Sequence, residues 1–165
     1  MMGFLKQIRV EWLVTAFCAW HAAGILNDAG LLHAWRRSPY DRLGWLALVL
    51  WAVPAVRAIG RGGNAEGGFR VAIISLAIAL IGVLGDLNFL VYWGLAGSIG
   101  SLARVSCQGW LWLVLAICWM PAFGWIGSQL HMLALPVNIL RLLAAFAAAG
   151  AGWCGLTPAP PKTSA

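Results

Sequence analysis

Between Val71 and Leu140 the chain carries only two charged side chains, Asp86 and Arg104. A stretch of that length with so little charge cannot coat a water-facing surface. A lipid bilayer is its natural solvent, because apolar side chains are stable there while a charge at the bilayer centre costs about 2.5–3.5 kcal/mol on insertion scales. The rest of the composition agrees. The 165 residues are 62% hydrophobic and 10% charged, with a mean hydropathy of +0.84, whereas a soluble domain is about 25% charged. Eleven tryptophans suit the two membrane–water interfaces, where an indole keeps its ring in lipid and its N–H wet.

Several function classes recede on composition and motif. The net charge of +6 comes from basic residues scattered over short segments, so anionic lipid head groups are a better counterpart than nucleic acid. Cys18, Cys107, Cys118 and Cys154 form no C-x-x-C pair and lie in or beside apolar runs. There cysteine behaves as a small hydrophobe, with a disulfide, a metal site or a nucleophile as lesser alternatives. No G-x-S-x-G, H-E-x-x-H, Walker loop or C-x-x-C-H occurs. His21, His33 and His131 have no haem-like spacing, so no cofactor is expected.

The apolar pattern predicts an all-α, polytopic transmembrane helix bundle of five or six spans. The predicted spans cover residues 12–32, 43–59 with a kink at Pro54, 70–85, 89–105 and a short 110–120 ended by Pro121. A helix or helix pair over 125–154, bent near Pro136, completes the set. The Gly-rich stretch 61–68 reads as a loop and Gly85–Asn88 as a tight turn. Residues 1–156 form one domain, and the Pro-rich tail 157–165 is expected to be disordered. The basic Met1–Arg9 precedes a run containing Glu11, His21 and Asp28, so the first span is expected to be retained rather than cleaved. Lys6, Arg9, Arg57, Arg61, Arg70, Arg104 and Lys162 fall on one side and Arg36, Arg37 and Arg42 on the other. The imbalance places the N-terminus in the cytoplasm, in an inner membrane of bacterial type.

Two kinds of residue stand out within the spans. Gly94, Gly97 and Gly100 make one smooth face, and the Ala/Gly run containing Ala144 and Ala148 makes another. These faces suit packing inside the bundle or docking of another integral membrane subunit. The intramembrane polar residues are His21, Asp28, Asp86, His131, Asn138 and Arg141. His21 and Asp28 share a helix face, while Asp86 suits an interfacial cap. His131, Asn138 and Arg141 have spacings that can bring them to one side of the last helix. That trio is either a site or interhelical hydrogen bonding with Arg141 snorkelling to the interface. Transport of an ion or small solute would rest on these groups alone.

Three segments together resemble the exosortase/archaeosortase family of polytopic membrane transpeptidases. The first runs from Trp35 through Tyr40, Asp41 and Arg42 to Gly44, leading into an apolar stretch that ends in Arg57 and Arg61. Asp41 and Arg42 stand where the family has Ser-His. The second is Leu87–Gly97. The third pairs Trp112–Phe123 with Leu133–Leu143. The resemblance covers roughly residues 33–155 and implies the family's non-catalytic half, because the family's nucleophilic Cys and its Arg and His partners follow this stretch. A rival alignment sets Cys107-Gln-Gly109 on the family's Cys-Ser-Gly and Asn138-Ile-Leu-Arg141 on its Asn-x-x-Arg. It implies a cysteine transpeptidase acting on C-terminal sorting signals, with Cys107 as nucleophile, Arg141 stabilising the oxyanion and His131 as base. The favoured expectation is a non-catalytic accessory or assembly subunit of a membrane complex.

Overall fold

The computed structural model describes residues 20, 24, 29–59, 65–103, 105 and 109–156. The expectations for His21, Asp28, Cys18, Cys107, Arg104, most of the first span and the tail lie outside the described residues.

Among the described residues the chain is all-helical. The helices are α1 Ala29–Arg37, α2 Gly44–Ile59, α3 Ala65–Leu84, α4 Asn88–Leu102, α5 Trp110–Val114, a 3-10 helix Leu115–Trp119, α6 Pro121–Gln129 and α7 Ala134–Gly155. One of them, α7, is by itself long and apolar enough to cross a membrane. The run from Trp110 to Gln129 passes the same test only as a pair, bent by 71° at its break. Helix α2 and the stretch Arg70–Leu84 are shorter and apolar.

Proline and glycine explain most boundaries. Met120 precedes Pro121, and a residue in that place is pushed out of the helical region. Its φ of −77° and ψ of 148° are extended, and this is where the chain bends. Pro136 does not bend the last helix, contrary to expectation. It lies in the first turn of α7, where a missing N–H leaves no helical bond unmade. The break falls instead at residues 130–133, with His131 at a positive φ of 53°. Three further boundaries differ from the sequence pattern. Helix α1 continues through Arg37, α3 begins at Ala65 inside the stretch predicted as loop, and the fifth segment tightens into 3-10 geometry after Val114.

Helices α3 and α4 form an antiparallel hairpin joined at Gly85–Leu87. An added Cβ on Gly94 would lie 2.6 Å from Ala79 Cβ, and one on Gly97 would lie 2.0 Å from Ser75 Oγ. The two backbones thus approach as closely as small residues permit. Ser75 keeps its own hydroxyl satisfied by donating to the Val71 carbonyl at 2.6 Å.

The other half of the bundle packs α7 on α2 around α5 and the 3-10 helix. On α7 the buried positions Arg141, Ala145, Ala148, Gly152 and Gly155 recur every three or four residues, as one helix face requires. The α2 positions Gly44, Ala47, Trp51, Pro54 and Ala55 do the same. Ala144 lies at the edge of this contact, partly buried. Between the helices Trp51 and Trp112 stack with centroids 4.3 Å apart and planes within 8°. Each indole N–H donates to the other residue's carbonyl at 2.9 Å. Trp51, Trp112 and Trp119 are fully buried, so these indoles build the core instead of lining an interface. Trp45, Trp110, Trp125 and Trp153 are exposed.

Candidate functional site

The only buried ionic group among the described side chains lies where α7, the α1–α2 loop and the end of the 3-10 helix converge. The loop is a succession of turns over Ser38–Leu43. The Asp41 N–H donates to the Ser38 carbonyl at 3.2 Å and the Gly44 N–H to the Asp41 carbonyl at 2.8 Å. This winding directs the Asp41 carboxylate inward, where only 5% of the residue is exposed.

Arg141 is entirely buried. Its Nη2 pairs with Asp41 Oδ1 and donates to the Tyr40 carbonyl at 3.3 Å. Its Nη1 donates to the Cys118 carbonyl at 2.9 Å and the Met120 carbonyl at 3.4 Å. The last carbonyls of any helix lack intrahelical partners, and Pro121 prevents the helix from continuing. Arg141 supplies the missing donors to the 3-10 helix and places a positive charge at its negative dipole end. The guanidinium carbon lies 5.2 Å from the Phe123 ring centroid. Among the described residues two buried donors have no protein acceptor, Arg141 Nε and Trp119 Nε1.

The carboxylate is held as tightly. Ser38 and the Gly124 N–H donate to it beside Arg141. A Cβ on Gly124 would lie 2.3 Å from Asp41 Oδ1, so glycine is what allows α6 to approach. Burial raises the affinity of the Asp41 carboxyl for its proton, with the Arg141 charge and the hydrogen bonds offsetting that in part. One turn before Arg141, Asn138 secures the same loop. Its Nδ2 donates to the Pro39 carbonyl at 2.8 Å, and its Oδ1 accepts from the Leu43 N–H at 3.3 Å. Nearby, Trp35 Nε1 donates to the Trp119 carbonyl at 3.2 Å.

The structure divides the trio suggested by spacing. Asn138 and Arg141 work together, as helix periodicity implies, but His131 is exposed in the turn before α7. Arg141 points into the protein and does not snorkel. Asp86 is exposed in the α3–α4 turn with a φ of 53°. Gly94 and Gly97 are covered by α3, Gly100 by Val105, Leu113 and Trp112, and Ala148 is buried in the core. Sequence reasoning missed Asp41, and the one available signal was its place in the Tyr40-Asp-Arg42 segment. Among the described residues no group of three His, Cys, Asp or Glu side chains is placed to hold a metal ion. Cys118 is buried and offers its carbonyl, not a reactive thiol, to Arg141.

What this arrangement does chemically is bind its own backbone. Four of the guanidinium's contacts are to protein oxygens already fixed by the fold, and neither charge is open to solvent. Comparison with known protein families, curated proteins and solved structures returns no match to this chain.

Proposed function

We propose that the chain is a non-catalytic integral membrane protein that crosses the bilayer several times and acts as an accessory or assembly subunit of a larger membrane complex. In this reading it resembles the non-catalytic half of an exosortase. Helices α2, α3, α4 and α7, together with the α5–3-10 segment, are the spans that the described residues contribute.

The observation that carries the reading is the outer surface. Val49 and Val53 on α2, Ile73 and Ile81 on α3, and Leu143 and Phe146 on α7 are each 47–59% exposed. A monomer in water rarely presents contiguous apolar surface on this scale. In lipid the same surface needs no cover. The interior supports a structural role, since the one buried ion pair among the described residues is consumed in holding a loop to a helix.

The test is direct. The chain should stay in membranes through an alkaline wash. In mild detergent its native mass should exceed the 17.7 kDa of one copy by that of a partner subunit. A chain released by the wash, or one that always runs alone, contradicts the proposal. So does loss of processing of a sorting-signal substrate on Cys107→Ala.

A further inference from the structure

We infer that Arg57 and Trp153 form a binding site for an anionic phospholipid, with the headgroup phosphate on the guanidinium and an acyl chain along exposed apolar side chains below it. The inference rests on the membrane reading above and deepens it.

The Arg57 guanidinium carbon lies 4.0 Å from the centroid of the Trp153 ring. A guanidinium over an indole still has N–H donors to give, and two of them can match two oxygens of a phosphate. Both residues are exposed. The described carboxylate side chains, Asp41 and Asp86, belong to the opposite end of the bundle. Asp41 precedes the start of α2 and Asp86 follows the end of α3, whereas Arg57 is in the last turn of α2. Trp153 is in the last turn of α7, which reaches the same end, since a Cβ on Gly152 would lie 2.8 Å from Pro54 Cβ. Arg70, exposed near the start of α3, adds positive charge at this end.

The surface below the pair is apolar and open. Val49, Val53 and Arg57 are spaced four residues apart on α2, and Phe146, Gly150 and Trp153 are spaced four and three apart on α7. Each set therefore lies on one helix face. The valines and Phe146 are 47–59% exposed, and a Cβ added to Gly150 meets nothing within 4 Å. An amphipathic ligand with a phosphate head and a hydrocarbon tail fits this order: cation and indole at the rim, aliphatic surface beneath. An acidic peptide would leave the aliphatic surface unused.

The full chain in uncharged detergent micelles is titrated with phosphatidylglycerol, phosphatidylcholine or inorganic phosphate, and the thermal midpoint of its helical circular dichroism is followed. Phosphatidylglycerol should raise the midpoint saturably, and the other two should not. Arg57→Gln should weaken the apparent affinity about five-fold, the factor for one interfacial basic residue contributing about 1 kcal/mol. Arg36→Gln, at the opposite end, should leave it unchanged. Equal effects of the two substitutions, an equal shift with phosphatidylcholine, or an equal shift with inorganic phosphate each overturn the site. The alkaline wash separates the two proposals, because a chain that stays in the membrane yet ignores phosphatidylglycerol loses the site but keeps its spans.

Discussion

Arg141 and Asp41 meet across 100 positions of sequence. Taking both charges out of water is costly, and their attraction offsets that cost only while both are present. Asp41→Asn should therefore destabilise the fold by about 3–5 kcal/mol, the range for a buried charge that loses its partner. The double variant Asp41→Leu with Arg141→Met should lie much closer to the wild type, because it removes both desolvation penalties. Thermal unfolding in detergent micelles, followed by helical circular dichroism, measures both. Equal losses in single and double variants would show that the pair is not coupled. Little of this was legible beforehand. The sequence marked Arg141 and Asn138 as expensive residues on one helix face, but periodicity describes a face and not what lies opposite. Tyr40-Asp-Arg42 reads as a polar turn, and nothing local says that its carboxylate turns inward.

Elements were more legible than residues, because proline, glycine and hydrophobic length act locally. The α3–α4 turn at Gly85–Leu87 and the stop at Pro121 follow from backbone chemistry that does not depend on the rest of the fold. The mistaken boundaries are those that residue type does not announce. His131 adopts a left-handed φ that its residue type does not announce, and the Gly-rich start of α3 is helical despite its composition. The hairpin itself gives a sharp contrast between two glycines. Gly94 faces the α3 backbone, with Ala79 Cα 3.0 Å from an added Cβ, while Gly150 faces open space. Gly94→Leu should cost about 1–3 kcal/mol, the usual penalty of overpacking a close contact. Gly150→Leu should change stability by less than about 0.5 kcal/mol, as surface substitutions do. The same unfolding measurement decides between them, and equal effects would mean that the hairpin is not packed as described.

At the scale of the molecule, charge sorts the two ends of the bundle. Arg57 and Arg70 lie at one end and Arg36, Arg37 and Arg42 at the other. The proposed orientation puts the Arg57 end in the cytoplasm. Cys154 is exposed near that end and Cys118 is buried, which makes the orientation measurable. With Cys18 and Cys107 replaced by serine, a membrane-impermeant maleimide should label Cys154 in inside-out vesicles and leave it unlabelled in right-side-out ones. The reverse pattern would invert the proposed orientation. Composition made the apolar character of this chain legible, and the exposed valines, isoleucines and leucines repeat that information on the surface. It could not reveal that the core would be built on tryptophan, because an indole suits an interface and an interior equally well. The parallel indoles of Trp51 and Trp112 have an optical consequence. Transition dipoles that close interact as excitons, so the native protein should show a split band in its far-ultraviolet dichroism that Trp51→Phe and Trp112→Phe each reduce, the Trp51–Trp119 pair at 5.9 Å remaining in the second. That couplet offers an intrinsic, label-free report on whether these two helices have docked.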